Sequence, residues 1–191
     1  MKHLSDHHRL WFYRILTLIC TSILVHIAAV WAAPRLIMQI LMHGPMAKTM
    51  NMQNQAAFAP PVTAASRTVV MPSPDLLYSV CVFDVTAGPV RISANPQLKT
   101  YWSIALYAAN SDNFFVVNDR KADGRPVDVW LVSEAGTPGD GTRPASMPAG
   151  AQVVVSPSKT GFLLMRVLTG DYEAEKAILE PARHTLTCSP A

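Results

Sequence analysis

The feature that most constrains this chain is an uninterrupted apolar stretch near its N-terminus, from Ile15 to Ala33. Its nineteen residues include no formal charge, no glycine and no proline. As an α-helix the stretch would be about 29 Å long, which matches the hydrocarbon core of a bilayer. The sequence therefore predicts one N-terminal transmembrane helix over residues 15–33.

The residues before this stretch predict its orientation. Lys2, Arg9 and Arg14 are accompanied by a single acid, Asp6. A cationic flank stays on the cytoplasmic side of a membrane, so residues 1–14 are expected inside and the rest of the chain outside.

A cleaved signal peptide is the alternative to a retained anchor, because export signals also begin with a basic and then an apolar region. The small-residue site that cleavage requires would lie beside the bulky Trp31 and directly before Pro34. This favours a retained anchor.

Composition divides the remainder of the chain. Residues 34–73 are expected to be a juxtamembrane helix and then a linker, because Asn51 to Pro74 is rich in Gln, Ala and Pro. Residues 74–188 are long enough for one small domain with a core.

Residues 1–14 carry +2 of the formal net charge of +3, so the domain is not strongly basic and nucleic acid is not an expected partner.

Short apolar runs separated by turn residues predict a mainly β domain, resembling a β-sandwich or jelly roll, with a C-terminal helix. The predicted strands are 77–83, 90–93, 101–108, 114–117, 127–133 and 152–155. Gly88-Pro89 predicts a hairpin between the first two strands, and Gly136 to Gly150 a long loop.

The end of the domain is less clearly assigned by its pattern. Phe162 to Leu168 is a short apolar run that fits either a strand or the start of a helix. Tyr172 to Leu179 fits a helix with acids in its first turn and a stop at Pro181.

Several segments in this order resemble the bacterial family called domain of unknown function 1254. They are SPDLLYS from Ser73, GPVRIS from Gly88, Tyr101-Trp102, NSDNFF from Asn110, and the run 162–168 with Arg166 followed by Gly170-Asp171-Tyr172-Glu173. The resemblance covers about Pro72 to Cys188.

The resemblance implies a β-rich fold in the bacterial envelope, here anchored in the inner membrane with a periplasmic domain. Many members carry a companion domain, numbered 1214, for which this chain has no room. Short anchored members look like partners of a separately encoded protein that holds the companion domain. The family offers no catalytic residue or cofactor to assign.

The residues themselves suggest a few sites. Cys81 and Cys188 lie on the outer side, where they could form a disulfide or remain two thiols. Four aromatic side chains could line a groove for sugar or lipid, or could belong to the core. They are Trp102, Phe114, Phe115 and Trp130.

Other patterns give weak support for a metal site or an enzyme. Methionines at 38, 42, 46 and 50, beside His43 and Met52, fit Cu(I) ligands, but methionine also fills apolar surfaces. Residues 156–159, 111–113 and 159–161 match the three motifs of penicillin-recognising serine enzymes, but in the wrong order and with one lysine shared. His184 paired with an aspartate would be an acid–base alternative.

Two functional hypotheses result. The favoured one is a membrane-tethered binding or assembly module that pairs with a companion-domain protein. The alternative is a hydrolase or ligand-binding protein acting on envelope lipid or glycan, which requires a cleft with a perturbed carboxylate or histidine.

Overall fold

A computed structural model describes residues 6–67, 71–134, 147–148 and 151–191 of the chain. Within these residues the helices and strands follow one another as α1 (Asp6–His43), α2 (Pro45–Thr49), β1 (Ala57–Phe58), β2 (Leu76–Asp84), β3 (Val90–Ala94), β4 (Trp102–Ala108), β5 (Asn113–Asn118), α3 (Asp119–Ala122), β6 (Val127–Ser133), β7 (Gln152–Ser156), β8 (Thr160–Leu168), α4 (Tyr172–Arg183) and β9 (Thr187–Pro190).

The first of two compact units in the chain ends at Ile37 and consists of most of helix α1. Side chains 7–33 of this helix are exposed. The helix is long and apolar enough to cross a membrane, and it continues through Pro34. The predicted N-terminal apolar helix is confirmed.

The second unit begins at Met38 and contains two β-sheets. One sheet has five strands in the order β1-β2-β8-β4-β5, and the other has four in the order β7-β6-β3-β9. Phe83, Leu106 and Leu163 of the first sheet share one buried cluster with Ile92 and Leu131 of the second. The prediction of a mainly β fold with a C-terminal helix is confirmed.

The predicted hairpin between the first two strands is wrong. Strand β2 pairs with β1 and β8, whereas β3 pairs with β6 and β9 in the other sheet. Strand β2 is almost entirely apolar and mostly buried, and such a strand belongs inside a sheet that is covered on both faces. The turn at Gly88-Pro89 therefore carries the chain between sheets.

The end of the domain differs from the predicted pattern in two respects. Residues 160–168 form strand β8, paired on both edges, so the helical alternative is wrong. Helix α4 continues through Pro181 to Arg183. A proline in the last turn removes only one backbone hydrogen bond, and the buried Leu179 and Arg183 hold that turn in place.

Part of the segment expected to be a linker is folded. Met52 is fully buried, and β1 pairs with β2 through Ala57 opposite Val80. These side chains cover apolar sheet surface, which composition alone does not reveal. Most of the predicted loop 136–150 lies outside the described residues.

A disulfide joins Cys81 of β2 to Cys188 of β9. Because these strands belong to different sheets, the bond crosses the core of the sandwich. It closes a loop with a sequence separation of 107 residues.

Loss of this bond is expected to lower the free energy of unfolding by about 4 kcal/mol, because closing a loop of roughly 100 residues restricts the unfolded chain. The comparison is urea unfolding of the full chain against the Cys81→Ser, Cys188→Ser double variant. Cys20→Ser is the matched control, since Cys20 lies exposed on α1. Equal midpoints for the double variant and the unaltered protein would contradict the expectation.

Candidate functional site

The face of the five-stranded sheet that points away from the other sheet is largely apolar. Side chains alternate along a strand, so the even-numbered residues of β2 and β8 share this outer face. Val80 lies opposite Leu164, and Val82 lies opposite Phe162. An apolar surface of this kind requires a cover.

The end of α1, helix α2 and the residues after them supply that cover. Met38, Met42 and Met52 are buried in one cluster with Val82 and Phe162. The backbone continues the sheet edge at this point: Val82 N donates to Met52 O at 2.8 Å. The segment is therefore attached both by side-chain packing and by backbone hydrogen bonds.

The cover leaves a cavity of about 600 Å³ above the sheet. Its volume is in the range of small-molecule sites in proteins. The lining residues are Met38, Leu41, Met46, Met50, Ala59, Pro60, Pro61, Val62, Ser66, Pro72, Tyr78, Val80, Tyr107, Ser111, Phe162 and Leu164. We call this cavity the outer pocket.

The chemistry of the outer pocket is that of an apolar container. None of its lining residues carries a formal charge, and only two serines and two tyrosines bring polar atoms. Methionine is flexible and polarisable, so the thioether wall can adapt to ligands of different shape. The pocket is suited to hold an apolar chain.

Arg183 at the end of α4 fixes one wall of the pocket. It is only 4% exposed, and its Nη1 donates to the carbonyl oxygens of Ala59 at 2.9 Å and Tyr78 at 3.1 Å. Its Nε donates to Glu180 Oε2 at 2.8 Å. The guanidinium therefore ties the proline-rich wall to β2 and to the C-terminal helix.

Glu180 balances this buried cation. It accepts from Arg183, from the Tyr172 hydroxyl at 3.1 Å, and lies 3.3 Å from His184 Nε2. Burial of the carboxyl opposes its charge, but the hydrogen bond and positive charge of Arg183 outweigh it and lower the pKa of Glu180 below its ordinary value of 4.5.

The sequence of this chain matches a known protein family. The pattern of a family described as protein of unknown function, DUF1254, matches residues 53–190. The chain belongs to the DUF1254 family. The match begins within the segment expected to be a linker, in agreement with its folded structure.

A similar fold occurs in a solved structure of low sequence identity. The VPA0106 protein from Vibrio parahaemolyticus has a TM-score of 0.64 and 14% identity, over 85% of this chain and 37% of that chain. An uncharacterized protein from Burkholderia cenocepacia has a TM-score of 0.45 and 14% identity, over 87% of this chain and 42% of that chain. This DUF1254 chain thus spans less than half of either protein. No protein with a curated description matches it.

The four aromatic residues considered for a groove do not line the outer pocket. Trp102 is buried in the core between the sheets, with Phe114 and Phe115 packed against that core. Trp130 is buried elsewhere, in a small cluster with Val132 and Met147. The aromatic character of these residues gave no information about the site.

The methionines considered as copper ligands lie at the outer pocket. Gly44 lies between the end of α1 at His43 and the start of α2 at Pro45, so the helical register is broken as expected. Met38, Met46 and Met50 then line the pocket, while the side chains of Met42 and Met52 are buried between the cover and the sheet. Their surroundings are apolar side chains.

The two serine-enzyme motifs that share Lys159 form the turn between β7 and β8. Ser156 Oγ donates to Ser158 O at 2.6 Å, and Ser158 Oγ donates to Thr160 O at 2.7 Å. Ala109 N donates to Ser158 Oγ at 3.0 Å, which joins the turn to the end of β4. These hydroxyls satisfy backbone groups.

His184 is also a structural side chain. Its ring stacks on Phe58 with centroids 3.9 Å apart, and its charged neighbour is Glu180 instead of an aspartate. The sequence suggested neither Glu180 nor Arg183. The available signal in the sequence was a glutamate and an arginine three residues apart on one predicted helix.

Glu180→Gln is expected to lower the free energy of unfolding at pH 7 by about 1–3 kcal/mol, because the charged hydrogen bond to the buried Arg183 loses its carboxylate. The folded-state pKa of Glu180 is lowered, so its contribution is present above pH 4.5 and is lost as the pH falls through the lowered pKa. The measurement is urea unfolding between pH 7 and pH 3.

The stability difference between the two proteins should therefore shrink in acid. Glu173→Gln is the matched control, because Glu173 is exposed on the same helix and pairs with exposed Lys176. A difference that stays constant down to pH 3 would contradict this account.

Proposed function

We propose that this DUF1254 chain is a membrane-anchored binding protein of the bacterial cell envelope, whose outer pocket takes the apolar chain of an amphipathic molecule. The observation that carries the proposal is the cavity of about 600 Å³ with an apolar, methionine-rich lining. A sugar would require many more polar partners than this lining offers.

The proposed location is the inner membrane, with residues 1–14 cytoplasmic and the domain periplasmic. The basic residues before the apolar helix support this orientation. The disulfide between Cys81 and Cys188 supports an oxidising compartment for the domain.

The position of the pocket along the chain supports a ligand taken from lipid. Met38, the first residue of its wall, follows the expected membrane-spanning stretch after only four residues. Long-chain amphiphiles are concentrated in the bilayer, so a wall that follows an anchor in sequence is well placed to meet them.

Photolabelling tests the proposal on the full chain in lipid nanodiscs. The probe is hexadecanol with a photoreactive diazirine on its chain. Trypsin cleaves after Arg14, Arg35 and Lys48, which separates the anchor peptide 15–35 from the pocket peptide 36–48. We expect label in the pocket peptide.

Leu164→Trp is expected to reduce that label several-fold, because the indole occupies the pocket. Val155→Trp is the matched control on the exposed surface of β7. Both variants should keep the unfolding midpoint of the unaltered protein within a few degrees. Label confined to the anchor peptide, or equal label in both variants, would overturn the proposal.

A second candidate function is assembly with a companion-domain protein. It is favoured by one observation: the same fold occupies only part of the Vibrio parahaemolyticus chain, of which 37% is covered. The resemblance to short anchored members of the family suggests that a separate chain carries the companion domain.

Mild-detergent purification of the tagged protein from its own cells, read by mass spectrometry, tests the assembly. We expect stoichiometric recovery of a chain that bears the companion domain. Recovery of the protein alone at native expression would contradict the assembly and leave pocket binding as the function.

A further inference from the structure

A row of polar side chains crosses the outer face of the five-stranded sheet next to the pocket. Arg166 of β8 lies directly opposite Tyr78 of β2 on one side and Ser103 of β4 on the other. Directly opposite residues of antiparallel strands share a face and have adjacent Cβ atoms. The three side chains therefore form one continuous row.

Two members of this row have unused donors. The Nε atom of Arg166 and the hydroxyl of Ser103 are buried, and neither has a hydrogen-bond partner among the residues that the structure describes. Ser103 as a whole is 2% exposed. Buried donors are nearly always paired in proteins, so two neighbouring unpaired ones indicate a missing acceptor.

The third member connects the row to the pocket. Tyr78 lines the outer pocket, and its hydroxyl accepts a hydrogen bond from Ser73 N at 2.9 Å, which leaves its own proton free to donate. Leu164, two residues before Arg166 on the same face, also lines the pocket. The polar row thus adjoins an apolar container.

We infer that the ligand of the outer pocket is an acidic lipid, whose anionic oxygen headgroup is held by Arg166 with Ser103 and Tyr78 while its chain fills the cavity. The inference rests on the proposed function and adds the charge of the headgroup. A guanidinium offers a planar fork of donors that matches carboxylate or phosphate oxygens.

The test compares two ligands that differ only in the headgroup. Palmitate and hexadecanol compete with the photoreactive hexadecanol in nanodiscs, and the readout is label in peptide 36–48 divided by label in peptide 15–35. This ratio corrects for the amount of photoreactive hexadecanol in the bilayer. We expect palmitate to compete about tenfold or more better than hexadecanol.

Arg166→Gln should remove this preference, so that palmitate competes no better than hexadecanol for the same variant. Arg166→Lys should retain part of the preference, because the charge remains but the fork is lost. Excess acetate should not compete, since it lacks the apolar chain; competition by acetate equal to that of palmitate would overturn the lipid as the source of the anion.

The outcomes separate the two proposals. Equal competition by palmitate and hexadecanol in the unaltered protein would overturn the inference of an acidic headgroup. The proposal that the pocket holds an apolar chain would then stand. Absence of label from peptide 36–48 when no competitor is added would overturn the proposed function itself. The comparison within the unaltered protein does not depend on the folding of any variant.

Discussion

The structure depends on one constraint: the five-stranded sheet is largely apolar on both faces, so both faces must be covered. Its inner face packs against the four-stranded sheet, whose own outer face carries the polar pairs Arg91–Asp128 and Ser93–Thr187. Among the described residues, its outer face is covered by the end of α1 and the segment after it instead of by a second sheet. The disulfide secures the first cover, and Arg183 helps to secure the second.

The two covers differ in the quality of their packing, and that difference produces the pocket. Two sheets interdigitate through regular rows of side chains and leave little space. The second cover is a helix end, a five-residue helix and a proline-containing segment, held to β2 by a few backbone hydrogen bonds. Irregular backbone cannot follow a flat sheet closely, so the cavity lies where this cover departs from it.

Local pattern was sufficient for the apolar helix and for most strands, because β-branched runs between turn residues report burial directly. Local pattern wrongly predicted a hairpin between β2 and β3, since strand pairing depends on which faces of β2 are buried. It failed for residues 51–59, where polar composition hid the buried Met52. The methionine spacing identified one wall of the site, but the site also uses strand β8, more than a hundred residues away, and no local signal connects the two.

The position of Arg166 is explained by the same constraint. An unpaired arginine between two packed sheets would cost the domain much of its stability, because nothing there can supply an acceptor. On the outer face, beside an incomplete cover, a bound anion or water can reach the guanidinium. Departures from full pairing that a fold retains tend to occur at its functional sites. The unused donors beside the pocket therefore point to ligand recognition more directly than any motif in the sequence.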